Sequence, residues 1–412
     1  MVKNASKLSF SNYAIDWQEG IQTARMREAR IARAREVMRR RGIAALLVTR
    51  GDNSRYLTGL RGPEFFPQLW YVLFFTEHEP IAFANAGWLS QYPDKAPWIK
   101  HWRLARSWMG GAPGLLAAKE EAKLFASEIQ QQLREKGLIG EKLAITGFDN
   151  FASQALIDLD IKIEDAWPLM LEARAIKNID EINCMKMVAT ITEAAWYKVS
   201  EALRPGIRDT ELSRIAVQAL YEAGAEEVPP ITVFSGPLSF DGGPSRTGRI
   251  IQSGDLVAIL MCGVSYMGYR SCTHRTFIVG RSPNAKEKNW YQKLLNRIDA
   301  VIEVIKPGAT TADVAEHFLP ATAWGYKEEA QVLTLECGHG IGLYSPELPI
   351  INRQWSMKYP QVIEPGMIIA VEGREGERGI GGVWLENMLV VTESGAEIID
   401  HMPRDIILES MA

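Results

Sequence analysis

The 412-residue sequence is poor in cysteine, has no long apolar run and carries little net charge. Four cysteines occur, Cys184, Cys262, Cys272 and Cys337, and no two of them form a C-x-x-C pair. So few thiols in so long a chain exclude a disulfide framework, and reduced thiols in a cytoplasmic protein are expected. Cys184 and Cys262 read as small buried hydrophobes. No stretch of about 18 apolar residues is present, which leaves no candidate for a membrane span. The apolar run VLFF at 72–75 is far too short. The opening MVKNASKLSFSNYAIDWQEG has neither an apolar core nor a small-residue cleavage site, so no secretory signal is expected. A formal net charge of −4 gives no reason to expect nucleic acid as a partner.

What is present is ordinary for a globular protein: 47% hydrophobic and 23% charged residues. The length exceeds that of one hydrophobic core, so two domains are expected, over residues 1–165 and 166–412. In the first, TARMREARIARAREVMRRRG (23–42) places Ile31, Ala34 and Met38 at helical spacing. IAALLVT, WYVLFFT, EPIAFAN and KLAITG read as strands, and RGDNSRYLTGLRG (50–62) as turn-rich connection. A helix is expected over 115–137 and a short one at FASQALIDL, which together make an α/β domain.

The second part begins with a long helix capped at Asn178 or Asp180, then a helix in RDTELSRIAVQALYEAG, then the strands PITVFSG, DLVAILMCGVSY and THRTFIVG. Two more helices and the strands GMIIAVEG and ENMLVVTESG repeat the order. The pattern is an α+β domain built from two helix–helix–strand–strand halves. On the strand CTHRTFIVG, alternation puts Cys272, His274 and Thr276 on one face, with neighbours two apart separated by about 6–7 Å.

Four pieces of this second part resemble the creatinase, prolidase and methionine aminopeptidase family. In GDLVAILMCGVSYMGYRSCTHRTF, the residues Asp255, Gly263, Tyr266, Gly268, Ser271, Arg275, Thr276 and Phe277 fall on the family frame. ECGHGIGLYSPELP resembles its Gly-His-Gly signature, IEPGMIIAVEG a segment ending in a ligand Glu, and GGVWLENMLVVTESG a segment with a bridging Glu. MRRRGIAALLVTRGDNSRYLTG is similar to the family's N-terminal domain. The resemblance implies a pita-bread catalytic domain preceded by an α/β creatinase-like domain, and a homodimer.

The family holds two divalent ions between two Asp, one His and two Glu. Here the Asp positions are Met261 and Cys272, the His position is His339, and the Glu positions are Glu372 and Glu386. Methionine offers no oxygen to a hard cation, so a two-metal centre is not expected. Two alternatives stay open: no metal, or one Zn or Fe ion held by Cys272, His339, Glu372 and Glu386. His274, at the family's Thr position, is a candidate acid–base group, because imidazole titrates near neutral pH. Asp241, Arg246 and Glu347 are candidates for substrate contacts, with Tyr56, Phe65 and Trp70 at the mouth of the site. The resulting expectation is a hydrolase of an amide, amidine or guanidine C–N bond in a small polar molecule. The alternatives are a C–S or C–N lyase working by β-elimination and a non-catalytic binding protein on the same scaffold.

Overall fold

A computed structural model describes residues 20–62, 67–243 and 247–410. Phe65 and Arg246 lie outside the described residues. Thr23–Arg174 form one compact unit, and the described residues from Ala175 onward belong to the other. No described helix is long and apolar enough to cross a membrane.

In the first unit a six-stranded sheet is formed by β1 (Ala45–Val48), β2 (Trp70–Phe75), β3 (Ile81–Ala84), β4 (His101–Leu104), β5 (Lys142–Thr146) and β6 (Lys162–Asp165), in the order β4-β3-β2-β1-β5-β6. Strands β1 to β3 are buried at every position and read as continuous apolar runs, as central strands covered on both faces do. Helix α1 (Thr23–Arg41) buries Met26, Ala34, Val37 and Met38 and leaves most of its arginines outward. Helix α2 (Leu115–Glu135) buries Phe125 and Ile129, and Phe125 meets Tyr71 edge-on at 5.5 Å.

One expectation for this unit is corrected. RGDNSRYLTGLRG is not mainly a turn: Gly51–Thr58 form a helix that ends at Gly59 in the left-handed conformation (φ 78°). Gly, Asp and Asn favour turns, but the same residues suit a helix N-terminus, and burial of Tyr56 and Leu57 fixes the helix.

The second unit carries a nine-stranded sheet. Its first half is β7 (Thr232–Ser235), β8 (Leu256–Tyr266) and β9 (Tyr269–Val279), covered by helices α3 (Ile179–Ala202) and α4 (Asp209–Glu222). Its second half is β10 (Cys337–Gly340), β11 (Glu347–Ile351), β12 (Ile368–Glu377) and β13 (Gly381–Val391), covered by α5 (Ala285–Val304) and the short helix Thr311–Ala315. The edge strands β14 (Ala396–Ile398) and β15 (Leu408–Ser410) pair with β13 and β9. The order β11-β10-β12-β13-β9-β8-β7 makes the two halves meet where β9 lies beside β13. Asn178 caps α3 and Asn284 caps α5, each in a reciprocal capping box with a Glu three residues on, so both halves open in the same way.

The seam between the halves has one registered pair, Glu386 opposite His274. Arg275 closes it. Its buried guanidinium donates to the carbonyls of His274 (2.9 Å) and Glu386 (2.6 Å) and pairs with Asp400 (2.7 Å). Asp400 in turn accepts from the Met388 N–H at 2.7 Å.

Candidate active site

The site is a row of side chains across adjacent strands. Residues directly opposite one another in a sheet project to the same face. Cys337 on β10 is opposite Glu372 on β12, Glu372 is opposite Glu386 on β13, Glu386 is opposite His274 on β9, and His274 is opposite Leu260 on β8. One step away, Cys262 is opposite Cys272, and His339 sits two residues beyond Cys337.

The β8–β9 hairpin sets this register. Met267 (φ 51°) and Gly268 (φ 84°) both have positive φ, the signature of a tight two-residue turn, and Tyr266 pairs with Tyr269 around it. Between Cys262 and Ser265 the register shifts by a bulge. An extra residue on one strand turns the side chains beyond it to the other face. Up to Cys262 the register with β9 is unbroken, so Met261, opposite Thr273, points with Val257 and Ile259 into the helix-covered core with Trp196 and Phe277, and Cys262, opposite Cys272, points into the site. This corrects two expectations: the residue filling the lost ligand place on β8 is Cys262, and Cys262 is not a bland core thiol.

His274 is wedged between the two glutamates. Its Nε2 lies 2.9 Å from Glu386 Oε2 and its Nδ1 lies 3.3 Å from Glu372 Oε2, the latter an ionic approach without hydrogen-bond alignment. Cys262 Sγ is 3.3 Å from the same Nε2 and 3.7 Å from Glu386 Oε2. The Trp384 ring meets the imidazole edge-on at 5.6 Å. His339 donates from Nδ1 to the Gly340 carbonyl (3.1 Å), which leaves Nε2 facing Glu386 Oε1 at 3.6 Å. Cys337 donates to Glu372 Oε1 at 2.9 Å.

The charges follow from these contacts. Burial opposes the positive charge on His274, but Glu386 and Cys262 outweigh it and hold the imidazole well above its ordinary range. Burial opposes charge on His339 as well, and Glu386 and Glu372 together bring it up to about 9. Burial pushes Glu386 up, while His274 and His339 hold it well below the usual carboxylate range. Of the two facing thiols, the hydrogen bond from Cys272 pulls Cys262 down and the same bond pushes Cys272 up. Burial, then Glu372, push Cys337 well up.

The set accounts for five of the sequence candidates: Cys272, His274, His339, Glu372 and Glu386 stand on neighbouring strands in and beside one row. Of the four residues expected to hold a single ion, only Cys272 and Glu386 fall into the group whose donor atoms lie within 4.8 Å of one another; the other two members are Cys262 and His274. The two-metal centre of the resemblance does not fit, because β8 and β9 present thiols and an imidazole where carboxylates would be needed.

The substrate candidates separate. Asp241 lines a cavity of about 290 Å³ with Phe240, Trp324, Tyr326, Arg374 and Arg378, and accepts from Arg378 Nε at 2.9 Å. Glu347 is corrected: it is fully buried and paired with Lys177 at 2.9 Å. Tyr56 and Trp70 are corrected too. Each is 1% exposed within the first unit. The Tyr56 hydroxyl donates to the Ala173 carbonyl, and Trp70 packs against Tyr92 and Trp102. Apolar bulk decides their place, on the buried face of the helix Gly51–Thr58 for Tyr56 and in the covered sheet for Trp70. Arg374 was missed. It stands two residues beyond Glu372 on β12, with its guanidinium 4.6 Å over the Trp384 ring. The strand period of two would have placed it on the face of Glu372.

Residues 183–393 match the metallopeptidase family M24, and residues 30–145 match the creatinase/prolidase N-terminal domain. The chain belongs to family M24. The uncharacterized peptidase YqhT of Bacillus subtilis (strain 168) is 26% identical over 386 residues, covering 92% of this chain and 99% of its own. Creatinase of Bacillus sp. (strain B-0618) is 27% identical over 310 residues, covering 68% and 71%. Among solved structures, the Xaa-Pro dipeptidase from Bacillus anthracis superposes with a TM-score of 0.75 at 26% identity, covering 93% and 99%. The M24 member described here therefore has the fold implied by its sequence, with an altered set of side chains in its site.

Proposed function

We propose that this M24 member hydrolyses a C–N bond of the amide, amidine or guanidine type in a small molecule that carries an anionic end. Glu372 handles the proton, and His274 holds Glu372 in place. The observation that carries this reading is the difference in access along the row. The Glu386 side chain is 0% exposed and faces both histidines, whereas the Glu372 side chain is 17% exposed. Glu372 is thus the carboxylate that a water and a substrate can reach. It takes a proton from the attacking water and returns it to the leaving nitrogen, the work of a general base and then acid. The ring of His274 is closed in by Glu386, Cys262 and Trp384, so it acts on the proton through Glu372 rather than by direct contact with substrate.

The same strand supplies the anion-binding group. Arg374 is mostly buried, its Nε has no hydrogen-bond partner, and with Arg378 it lines the cavity. A guanidinium held on an aromatic face suits a planar carboxylate. The relatives include an Xaa-Pro dipeptidase and a creatinase, which supports a C–N bond as the target.

The test measures amine release from a panel of small amides, Xaa-Pro dipeptides, amidines and guanidino acids. On whichever substrate the wild type turns over, Glu372→Gln should lower kcat by about 10²–10⁴-fold with the circular dichroism spectrum unchanged. Arg374→Met should raise KM for carboxylate-bearing members of the panel only. Undiminished turnover by Glu372→Gln would refute the assignment.

A further inference from the structure

We propose that Cys262, Cys272, His274 and Glu386 form a closed site for one soft divalent ion, zinc by its chemistry, which clips the two halves of the catalytic domain together. The donor atoms of the four lie within 4.8 Å of one another, and the residues are buried or partly buried. Ligand distances of about 2.3 Å to sulfur and about 2.0–2.1 Å to nitrogen or oxygen put the corners of a zinc tetrahedron roughly 3.3–3.8 Å apart. The three separations here are 3.3 Å between Cys262 Sγ and His274 Nε2, 3.7 Å between Cys262 Sγ and Glu386 Oε2, and 2.9 Å between His274 Nε2 and Glu386 Oε2. Each is within about 0.5 Å of a tetrahedral edge.

The surroundings support the same reading. The outer nitrogen of a metal-bound histidine is regularly held by a carboxylate, and Glu372 stands 3.3 Å from His274 Nδ1, near enough to take that place though not aligned for a hydrogen bond. Two sulfurs, one imidazole and one carboxylate select zinc over magnesium, calcium or manganese. Four protein ligands fill the tetrahedron and leave no open position, which is the form of a structural ion rather than a catalytic one. Its place gives it a task. Three ligands come from β8 and β9 and one from β13, and β9 and β13 share a single registered pair. An ion there adds a cross-link at a seam that has a single registered strand pair. The inference goes beyond the hydrolase reading, in which Glu372 rather than these four residues handles the proton.

The experiment uses the full chain, reduced and stripped of metal, then loaded with Zn²⁺ or Co²⁺. The expected results are one ion per chain, a thiolate-to-cobalt charge-transfer absorption, a melting temperature raised by the ion, and alkylation of Cys262 and Cys272 slowed at least about tenfold. Cys262→Ser/Cys272→Ser should lose the absorption and the rise in melting temperature, with the circular dichroism spectrum kept. His339→Ala should keep the ion, which separates this site from one built on His339 and Glu372. Failure to bind either ion, or an ion retained by the double cysteine variant, would overturn the proposal. Hydrolysis by an ion-free chain would leave the hydrolase reading intact, and an ion bound by a chain inactive on the whole panel would leave the site intact.

Discussion

The two halves of the catalytic sheet start from the same plan and present opposite chemistry to their shared face. The second half offers Glu372, Glu386 and His339 from β10, β12 and β13. The first half offers Leu260, Cys262, Cys272 and His274 from β8 and β9, without a carboxylate. A fold that elsewhere gathers acids from both halves around cations has here put its acids on one side. The other side answers with an imidazole. His274 enters between the two glutamates at 2.9 and 3.3 Å, so the negative charge of one half is met by the other within the protein itself. Arg275 keeps the two strands aligned so that this meeting happens at one registered pair.

Removing the acid at the centre of this arrangement tests the comparison most severely. Glu386→Ala removes the buried carboxylate that both imidazoles face, leaving His274 only its unaligned approach to Glu372. Breaking a buried pair from one side costs about 3–5 kcal/mol, and the loss should appear in the denaturant midpoint. Glu372→Ala, at the more exposed end of the row, should cost much less stability. Equal costs would mean that the two glutamates share the burden and that the row has no buried and exposed end. The next test tries to make the first half resemble the second. Met261→Asp restores the side chain expected from the family frame, but the position faces Trp196 and Phe277 in an apolar core. The expected outcome is a loss of about 3 kcal/mol from cavity and unpaired charge and no second bound ion by metal analysis. Recovery of a two-ion centre would show that β8 can shift its register.

That variant also marks where the sequence stops being readable. His339, Glu372 and Glu386 are legible because the segments around them, ECGHGIGL, IEPGMIIAVEG and GGVWLENMLVV, resemble the family's signatures. Cys262 is not, because β8 is apolar on both faces up to that point, and only its register with β9 shows which face looks into the site. Strand β10 is hidden for a related reason. CGHG has no strand-forming composition, and it is a strand because its neighbours hold it there. A Cβ at Gly340 would sit 2.0 Å from the Leu348 carbonyl oxygen, so only glycine permits that approach. The row Cys337–Glu372–Glu386–His274 joins four strands spread over 113 residues of chain, 274 to 386 counted inclusively, and only register aligns it. Tyr56 and Trp70 failed as pocket residues because an aromatic buried in a helix or sheet and one at a site rim look alike in sequence.

The smallest effect concerns one of the buried acids that the first half keeps on its helices instead of its strands. Glu193 on α3 is buried, accepts from the His401 N–H at 2.6 Å and lies near Asp400. Burial is the main cause that raises it from the usual 4.5 to about 7, with Asp400 adding to the rise, while the His401 N–H pulls the other way. A carboxyl whose folded value lies above its unfolded value stabilises the fold most when it is neutral in both states, at acid pH. As pH rises from about 4.5 the unfolded chain gains from ionisation that the folded chain resists, so stability falls until about pH 7 and then levels off. At about 1.4 kcal/mol per unit, and with some solvent access, the penalty is on the order of 2 kcal/mol. Glu193→Gln keeps an acceptor for the His401 N–H and cannot ionise. It should raise stability at pH 8 by about that amount and leave it nearly unchanged at pH 4.5, as read from urea midpoints at both values. A gain of the same size at both pH values would place the cause in packing rather than charge. A loss at pH 8 would mean that the first half needs this acid ionised, and the contrast between the halves would then hold for the strands alone.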